Sequence, residues 1–261
     1  MGALKAVLLG LLQGLTEFLP VSSSGHLVIA QYFMGLTLPG VTFEVLVHFG
    51  TLLSVIWVFR KDLYYLITRF LYDAEQKKLF LLLIIGTIPT GLMGLFFSSF
   101  FLEIFDRPFF AGLMLLVTGL IVIAIQKITI KGKEIKEMNA WDAVLIGVFQ
   151  GIAIIPGISR SGSTIMGALW RGLRRESAIR YSFLLALPAI AGASFLEILS
   201  LFQNGGLENV FLPYHFLAAF IAFLSGIFAI HVFIKLLVRG KFYYIACYCW
   251  LVGLLTIIFT L

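Results

Sequence analysis

Charged side chains are scarce in this chain. They make up 12% of its 261 residues, whereas hydrophobic residues make up 61%. An average soluble domain has about 25% charged residues, so the composition excludes a soluble globular protein. The net charge of +6 does not point to nucleic acid, because the basic residues lie in short segments between apolar runs, as membrane topology requires.

Cysteine is rare and several familiar enzyme motifs are missing. Cys247 and Cys249 lie two residues apart in one apolar run. They therefore point to different sides of a helix and predict neither a disulfide nor a metal site. The chain has no GxxxxGK[ST], HExxH, GxSxG or CxxC sequence. These absences exclude a P-loop nucleotide hydrolase, a zinc peptidase and an ordinary esterase.

Long apolar runs are what the chain does have. Runs of roughly 20 apolar residues are typical of membrane-spanning helices. The sequence predicts six of them: residues 42–59, 79–98, 108–126, 177–201, 213–237 and 242–260.

Two further apolar stretches have nearly the same sequence. The first is LLGLLQGLTEFLPVSSSGHLVIAQYFMGL (residues 8–36) and the second is LIGVFQGIAIIPGISRSGSTIMGALWRGL (residues 145–173). Their ungapped alignment pairs identical residues at Gly10/Gly147, Gln13/Gln150, Gly14/Gly151, Ser22/Ser159, Ser24/Ser161, Gly25/Gly162 and Gly35/Gly172. It pairs residues of different chemical type at Glu17/Ile154, Ser23/Arg160 and His26/Ser163. A duplication split into an acid, serine and histidine half and an arginine half indicates a composite active site.

Both duplicated stretches are interrupted by Gly and Pro, which leaves halves too short to span ~30 Å of hydrocarbon. Broken backbone at membrane depth is tolerated only inside protein or beside a watery cavity, so each stretch predicts a re-entrant helix hairpin. One hairpin and three spans make each repeat, about 1–126 and 139–261, within a single membrane domain. Because each repeat crosses the membrane three times, an odd number, the second repeat is inverted relative to the first. The expected fold is therefore an all-α polytopic membrane protein of six transmembrane helices and two re-entrant hairpins in an inverted-topology repeat.

The distribution of basic residues agrees with this arrangement. All Lys and Arg residues except Lys5, Arg107 and Arg160 fall in segments that it places on one side, which the positive-inside rule assigns to the cytoplasm. The first hairpin then enters from the outer side and the second from the inner side, and both chain ends lie outside. Inverted repeats of this kind have their polar site near the middle of the bilayer.

The first hairpin contains an intramembrane acid. Gln13 and Glu17 are four residues apart and share a helix face. A carboxylate inside a membrane is a functional candidate by default, and a structural hydrogen-bonded acid is the alternative. Gln13 is either a substrate contact or, like its counterpart Gln150, a packing residue. Glu44 and His48 also share a face of the first span, from which they could line the same cavity in a supporting position.

A polar turn follows Pro20. Ser22, Ser23, Ser24 and Gly25 predict a turn whose backbone N–H groups face an anion at a helix start, or simply a helix N-cap. His26 lies one turn from Ser23, close enough to exchange a proton with it or with a leaving group.

The second hairpin contains a buried arginine. Arg160 has no carboxylate near it in sequence, so either Glu17 neutralises it or its guanidinium holds a phosphate, whose geometry it matches. Both alternatives are compatible if the substrate phosphate displaces Glu17 from Arg160. The predicted substrate-binding residues are Gln13, Ser22, Ser24, Gly25, Ser159, Ser161, Gly162, Ser163 and Thr164.

The motifs QGLTEFLPVSSSGH and PGISRSG closely resemble those of the undecaprenyl-diphosphate phosphatase family of bacterial inner membranes, the bacitracin-resistance type. The resemblance covers the whole chain. It implies removal of the terminal phosphate from the C55 isoprenyl diphosphate carrier, which recycles the carrier for cell-wall synthesis and confers bacitracin resistance. His48 stands where the resemblance leads us to expect Gln, so no family role transfers to it.

The resemblance also implies a divalent cation, Mg or Ca; Glu17 is its expected ligand as the alternative to an acid–base role for this residue. We expect a periplasm-facing site in which Arg160 holds the phosphates, Ser23 attacks the terminal phosphorus, and His26 and Glu17 share the acid–base work. Direct attack by water is the mechanistic alternative, and a polyprenyl-phosphate flippase is the functional one. The expected partners are the polyprenyl diphosphate lipid and membrane lipids, with no nucleic acid; the sequence leaves a homodimer open.

Overall fold

The computed structural model describes residues 2–36, 42–97, 107–129, 131–203, 213–239 and 242–261. Within these ranges the regular structure is helical, with one isolated bridge between Lys133 and Leu173 and no strand. The all-α prediction is confirmed. The helices are α1 (Ala3–Phe18), α2 (Ser23–Phe33), α3 (Thr42–Val58), α4 (Arg60–Arg69), α5 (Ala74–Phe96), α6 (Pro108–Lys127), α7 (Ala140–Ile152), α8 (Arg160–Trp170), α9 (Arg175–Gln203), α10 (Pro213–Arg239) and α11 (Tyr243–Thr260), with a single 3-10 turn at Ile135–Glu137.

Five of the described helices are long and apolar enough to cross a membrane: α5, α6, α9, α10 and α11. The shorter α3 meets α4 at a bend of 75°, and the two pass the same test together. A multi-pass membrane protein is therefore confirmed. The six predicted runs coincide in order with α3, α5, α6, α9, α10 and α11, whereas α4 was not predicted as a separate helix.

Each duplicated stretch forms a helix, a break and a second helix. In both stretches the second helix is capped by the serine at the matching position of the alignment. After α1 ends, the Ser22 hydroxyl accepts a hydrogen bond from the Gly25 N–H at 3.3 Å. After α7 ends, the Ser159 hydroxyl accepts one from the Gly162 N–H at 3.1 Å. These are N-caps, which satisfy a backbone donor that has no partner within the helix. In each hairpin the two helices pack against each other.

Two matched glycines let the hairpins pack closely on neighbouring helices. A Cβ at Gly10 would lie 2.3 Å from the Ala218 carbonyl oxygen of α10. A Cβ at Gly147 would lie 2.0 Å from the Gly86 carbonyl oxygen of α5. Neither distance is possible for a side chain, so the backbone contacts of α1 with α10 and of α7 with α5 depend on glycine.

Several basic segments lie together at one end of the molecule. Lys78 donates to the Lys136 carbonyl at 2.6 Å, and Arg180 pairs with Asp62 at 2.5 Å. These contacts join the segments 60–78, 131–139 and 171–180. These contacts agree with the expectation that the basic segments lie on one side of the membrane.

Candidate active site

The tips of the two hairpins are in contact. Gly25 of the first tip is so close to Gly157 of the second that a Cβ at position 25 would lie 2.8 Å from the Gly157 Cα. The Ser161 hydroxyl donates to the Leu19 carbonyl across the same contact at 3.1 Å. The duplicated segments, far apart in sequence, therefore form one site.

Helix α6 holds the second tip in place. The Thr118 hydroxyl donates to the Gly157 carbonyl at 2.6 Å and accepts the Ser159 N–H at 3.0 Å. Gly157 has φ of +95°, a conformation that favours glycine. One buried threonine thus satisfies two backbone groups of a turn that must face inward.

Glu17 lies at the centre of the site. Its Oε2 accepts hydrogen bonds from the Ser23 hydroxyl at 2.5 Å and from Gln13 Nε2 at 3.0 Å. Its Oε1 accepts one from Arg160 Nη2, and His48 Nε2 lies 3.6 Å from Oε2. Because Glu17 is only 6% exposed, these donors offset the cost of burying a carboxylate. The ion pair between Glu17 and Arg160, one of the two predicted alternatives, is present.

The guanidinium of Arg160 retains binding capacity. While Nη2 donates to Glu17, Nη1 is buried and has no hydrogen-bond partner among the described residues. A buried donor without a partner is costly, and a planar guanidinium commonly holds two oxygens of a phosphate or carboxylate. An anionic ligand in the adjacent cavity would supply the missing acceptor.

A cavity of about 590 Å³ opens beside this centre. Glu17, Ser23 and Arg160 lie on its polar side. Most of the small and apolar residues of its other walls belong to α5 and α9: Gly91, Gly94, Leu95, Ala189, Ile190, Gly192, Ala193 and Leu196. The cavity therefore suits a ligand with an anionic head and an apolar tail.

Six of the predicted site residues line this cavity: Glu17, Ser22, Ser23, Ser24, Ser159 and Arg160. The others lie behind its surface: Gln13, Gly25, His26, Ser161, Gly162, Ser163 and Thr164. Most of this second group is fully or almost fully buried, and several of its members bond to the hairpin backbone, as Thr164 does to the Arg160 carbonyl at 2.9 Å.

His26 is held by two partners away from Ser23. Its Nδ1 lies 2.7 Å from the Ser22 carbonyl and its Nε2 lies 2.8 Å from the Tyr248 hydroxyl. A carbonyl can only accept, so Nδ1 carries a hydrogen and, in the neutral ring, Nε2 accepts from Tyr248. Glu17, rather than His26, accepts the Ser23 hydroxyl hydrogen in this structure.

The cavity is also lined by polar residues that the sequence indicates only weakly as site residues, or not at all. Glu44 and His48 line it, as their shared helix face suggested. Thr87, Thr90 and Gln150 line it as well, and Gln150 Nε2 donates to Thr90 at 3.2 Å. In the sequence, the two threonines are distinguished only as hydroxyls within an apolar run. Nothing in the sequence distinguishes Tyr248, which bonds to His26.

The fold and this centre together define a multi-pass helical membrane protein in which a carboxylate, a serine and an arginine meet where two broken helical segments touch. Residues 6–255 match the family model described as bacitracin resistance protein BacA, and the chain belongs to that family. The resemblance seen in the motifs is confirmed.

Full-length relatives bear the name undecaprenyl-diphosphatase. The protein of Alkaliphilus metalliredigens is 42% identical over 275 residues, covering 100% of both chains. That of Halothermothrix orenii is 43% identical, covering 97% of this chain and 96% of its own. That of Syntrophotalea carbinolica is 45% identical, covering 97% of each.

Proposed function

We propose that this protein is an integral membrane phosphatase that hydrolyses undecaprenyl diphosphate to undecaprenyl phosphate and inorganic phosphate. Relatives named for this activity match 97–100% of this chain. The observation that carries the proposal is the cluster of Glu17, Ser23 and Arg160 on the polar side of a cavity with apolar walls. The activity recycles the lipid carrier for cell-wall synthesis and accounts for bacitracin resistance. The flippase alternative gains no support from these relatives.

The proposed arrangement in the membrane has six crossings, formed by α3, α5, α6, α9, α10 and α11. Both hairpins are re-entrant, and the halves 1–126 and 139–261 are inverted relative to each other. The protein then lies in the bacterial inner membrane with its site open to the periplasm. The matching breaks and caps of the two hairpins and the grouping of basic segments at one end support this arrangement.

Ser23 is the proposed nucleophile. Its oxygen attacks the terminal phosphorus while its hydrogen passes to Glu17 Oε2, the atom that already accepts it at 2.5 Å. The bond from phosphorus to the bridging oxygen breaks and undecaprenyl phosphate leaves, so a phosphoserine remains. Water then hydrolyses the phosphoserine and restores the serine. A hydroxyl within hydrogen-bond reach of a base is the arrangement that nucleophilic catalysis requires.

Arg160 is the proposed phosphate-binding residue. Its Nη2 holds Glu17, and its Nη1, which has no hydrogen-bond partner among the described residues, provides a donor for a phosphate oxygen. As negative charge develops on the transferred phosphoryl group, a preorganised cation and nearby hydroxyls stabilise it. Ser22, Ser24 and Ser159, which line the same cavity, provide those hydroxyls.

A divalent cation, Mg or Ca, remains part of the proposal. The described residues contain no group of three or more His, Cys, Asp or Glu side chains placed to hold a metal. Mg²⁺ is often bound by one or two carboxylates together with substrate phosphates, and Glu17 and Glu44 line the cavity. These residues fit a cation that arrives with the diphosphate, where it would neutralise phosphate charge.

The deciding experiment measures phosphate release from undecaprenyl diphosphate by the purified protein in detergent, with Mg²⁺ and with Ca²⁺. Wild-type protein should release phosphate, and Ser23→Ala should not. The matched control is Ser177→Ala, which removes a buried serine hydroxyl that pairs with Arg174 outside the cavity. Acid quenching with terminally labelled substrate should leave labelled phosphoserine on the wild type only.

Substantial activity in Ser23→Ala would replace serine attack by direct attack of water. No release by the wild type with either cation would reject the phosphatase.

A further inference from the structure

Ser22 has an unusual backbone conformation. With φ of 66° and ψ of 97°, it is the one non-glycine residue with positive φ in the described part of the chain. Side chains crowd the backbone in this region, so a serine adopts it only when its surroundings hold it there. The next residue is Ser23, and the direction in which the chain leaves Ser22 decides where the Ser23 hydroxyl points.

His26 holds Ser22 from one turn along α2. Its backbone N–H and its ring Nδ1 both donate to the Ser22 carbonyl, at 3.2 and 2.7 Å. Tyr248 of α11 holds His26 in turn. Its hydroxyl bonds to Nε2 at 2.8 Å, and the two rings are stacked, with centroids 5.6 Å apart and planes 8° apart.

The second hairpin provides an internal comparison. Its serine at the same place, Ser159, has φ of −75° and ψ of 118°, which is ordinary extended backbone. The residue at the place of His26 is Ser163, whose buried hydroxyl has no hydrogen-bond partner among the described residues. Histidine and positive φ therefore occur together in the hairpin that contains the serine nucleophile, and both are missing from the hairpin that contains the arginine.

We propose that the side chains of His26 and Tyr248 together form a brace. This brace holds Ser22 at positive φ and so places the Ser23 hydroxyl within hydrogen-bond distance of Glu17. His26 is in this view a positioning residue, and Tyr248, from the last helix, is a second one. The proposal rests on the phosphatase function stated above. It accounts for the burial of His26 behind the cavity, where neither ring nitrogen reaches Ser23.

The first test separates the two nitrogens of His26. The amide nitrogen of asparagine lies about where Nδ1 does, so His26→Asn keeps the bond to Ser22. His26→Gln reaches Tyr248 instead, and His26→Ala keeps neither bond. The brace predicts that His26→Asn stays within about tenfold of wild-type kcat, as expected for one lost neutral hydrogen bond. His26→Gln and His26→Ala should fall by about 100-fold, as misplaced reacting groups do.

The pH profile distinguishes this role from proton transfer. The asparagine side chain cannot carry the proton, so His26→Asn should keep both limbs of the wild-type profile only if His26 transfers no proton, as the brace requires. Equal loss of activity in His26→Asn and His26→Ala, or loss of one limb in His26→Asn, would overturn the brace. Thermal unfolding in detergent identifies any variant that is inactive only because it does not fold.

The second test removes one oxygen. Tyr248→Phe should lower kcat two- to tenfold, roughly the effect of one hydrogen bond, with KM unchanged. The control Tyr244→Phe removes an exposed hydroxyl one turn away on the same helix and should have no effect. Nitrogen NMR of the His26 ring should show the Nδ1–H tautomer in the wild type and a changed Nε2 signal in Tyr248→Phe.

Unchanged turnover together with unchanged ring signals in Tyr248→Phe would reject the brace. The NMR measurement needs no turnover, so it tests the brace even if the wild type fails to hydrolyse the lipid. Failure of the phosphatase function would appear separately, as an inactive wild type with intact His26 signals.

Discussion

At the scale of single residues, the site depends on a carboxylate that is buried and fully engaged. Glu17 receives hydrogen bonds from both hairpins, from Ser23 and Gln13 on its own side and from Arg160 on the other. A buried ion pair adds little net stability, but the loss of one partner is expensive because the other charge stays buried. Arg160 therefore has one observed task, to hold Glu17 in place, and one proposed task, to bind phosphate.

Replacement of Arg160 tests these two tasks. Arg160→Ala should lower kcat by 10²- to 10³-fold, about 3–4 kcal/mol, the usual cost of removing a preorganised donor. Arg160→Lys keeps the charge beside Glu17 but loses the planar fork, so it should fold like the wild type and have intermediate activity. The measurement is steady-state phosphate release, with thermal unfolding as the check on folding. Near-normal turnover in Arg160→Ala would reject its role in phosphate binding.

The sequence could identify the residues at this centre because the duplication exposes them. Glu17, Ser23 and Arg160 stand out where two otherwise matching copies differ, and all three line the cavity. Thr87 and Thr90 line it too, but they come from α5, which the repeat motifs do not include. Tyr248 reaches His26 from α11, and no pattern in one sequence predicts which helix packs there. Contacts between distant helices, rather than motifs, determine this part of the site.

At the scale of helices, glycine governs how close the hairpins come to their neighbours. Helix α7 touches α5 through the backbone at Gly147 and Gly86. Without a hydrophobic force between helices in lipid, such close packing by small residues supplies much of their association. The sequence showed the paired glycines Gly10 and Gly147, but only the packing shows that both face a neighbouring carbonyl.

Gly147→Ala should destabilise the protein by about 3 kcal/mol, the upper end of the cost of overpacking, because its Cβ would lie 2.0 Å from a backbone oxygen that cannot move freely. The matched control is Gly192→Ala in α9, where a Cβ meets nothing within 4 Å; alanine is the better helix former and should leave stability equal or higher. Unfolding by SDS titration in mixed micelles gives both values. Equal stability of the two variants would contradict the close contact.

A second element-scale feature fastens the start of α7. Asp142 is fully buried; it accepts hydrogen bonds from Lys133 and from Arg171 at 2.7 Å. It also forms a capping box with Asn139, which satisfies donors at the helix start. This cluster ties the segment before the second hairpin to the segment after it. From the sequence, Lys133 and Arg171 indicate only topology, because their common partner is a single acid that lies far from Arg171 in the chain.

At the scale of the whole molecule, the duplication explains why one site needs both halves of the chain. The acid and the serine come from the first hairpin and the arginine from the second, so neither half alone contains a complete centre. If the halves are inverted, the hairpins enter from opposite faces and meet inside the bilayer, where a lipid diphosphate can bring its head to the site while its tail stays in hydrocarbon. An even number of crossings then puts both ends of the chain outside.

Labelling of single cysteines tests this arrangement, in a background with both native cysteines replaced by serine. Ala3→Cys and Leu261→Cys lie at exposed positions near the two ends, and Tyr72→Cys and Lys136→Cys lie at exposed positions in the basic segments. In intact cells an impermeant maleimide should label the first two and reach the last two only after permeabilisation, since basic segments remain in the cytoplasm. If positions 3 and 261 were labelled from opposite sides, the number of crossings would be odd. One hairpin would then span the membrane, and the inverted repeat would be wrong.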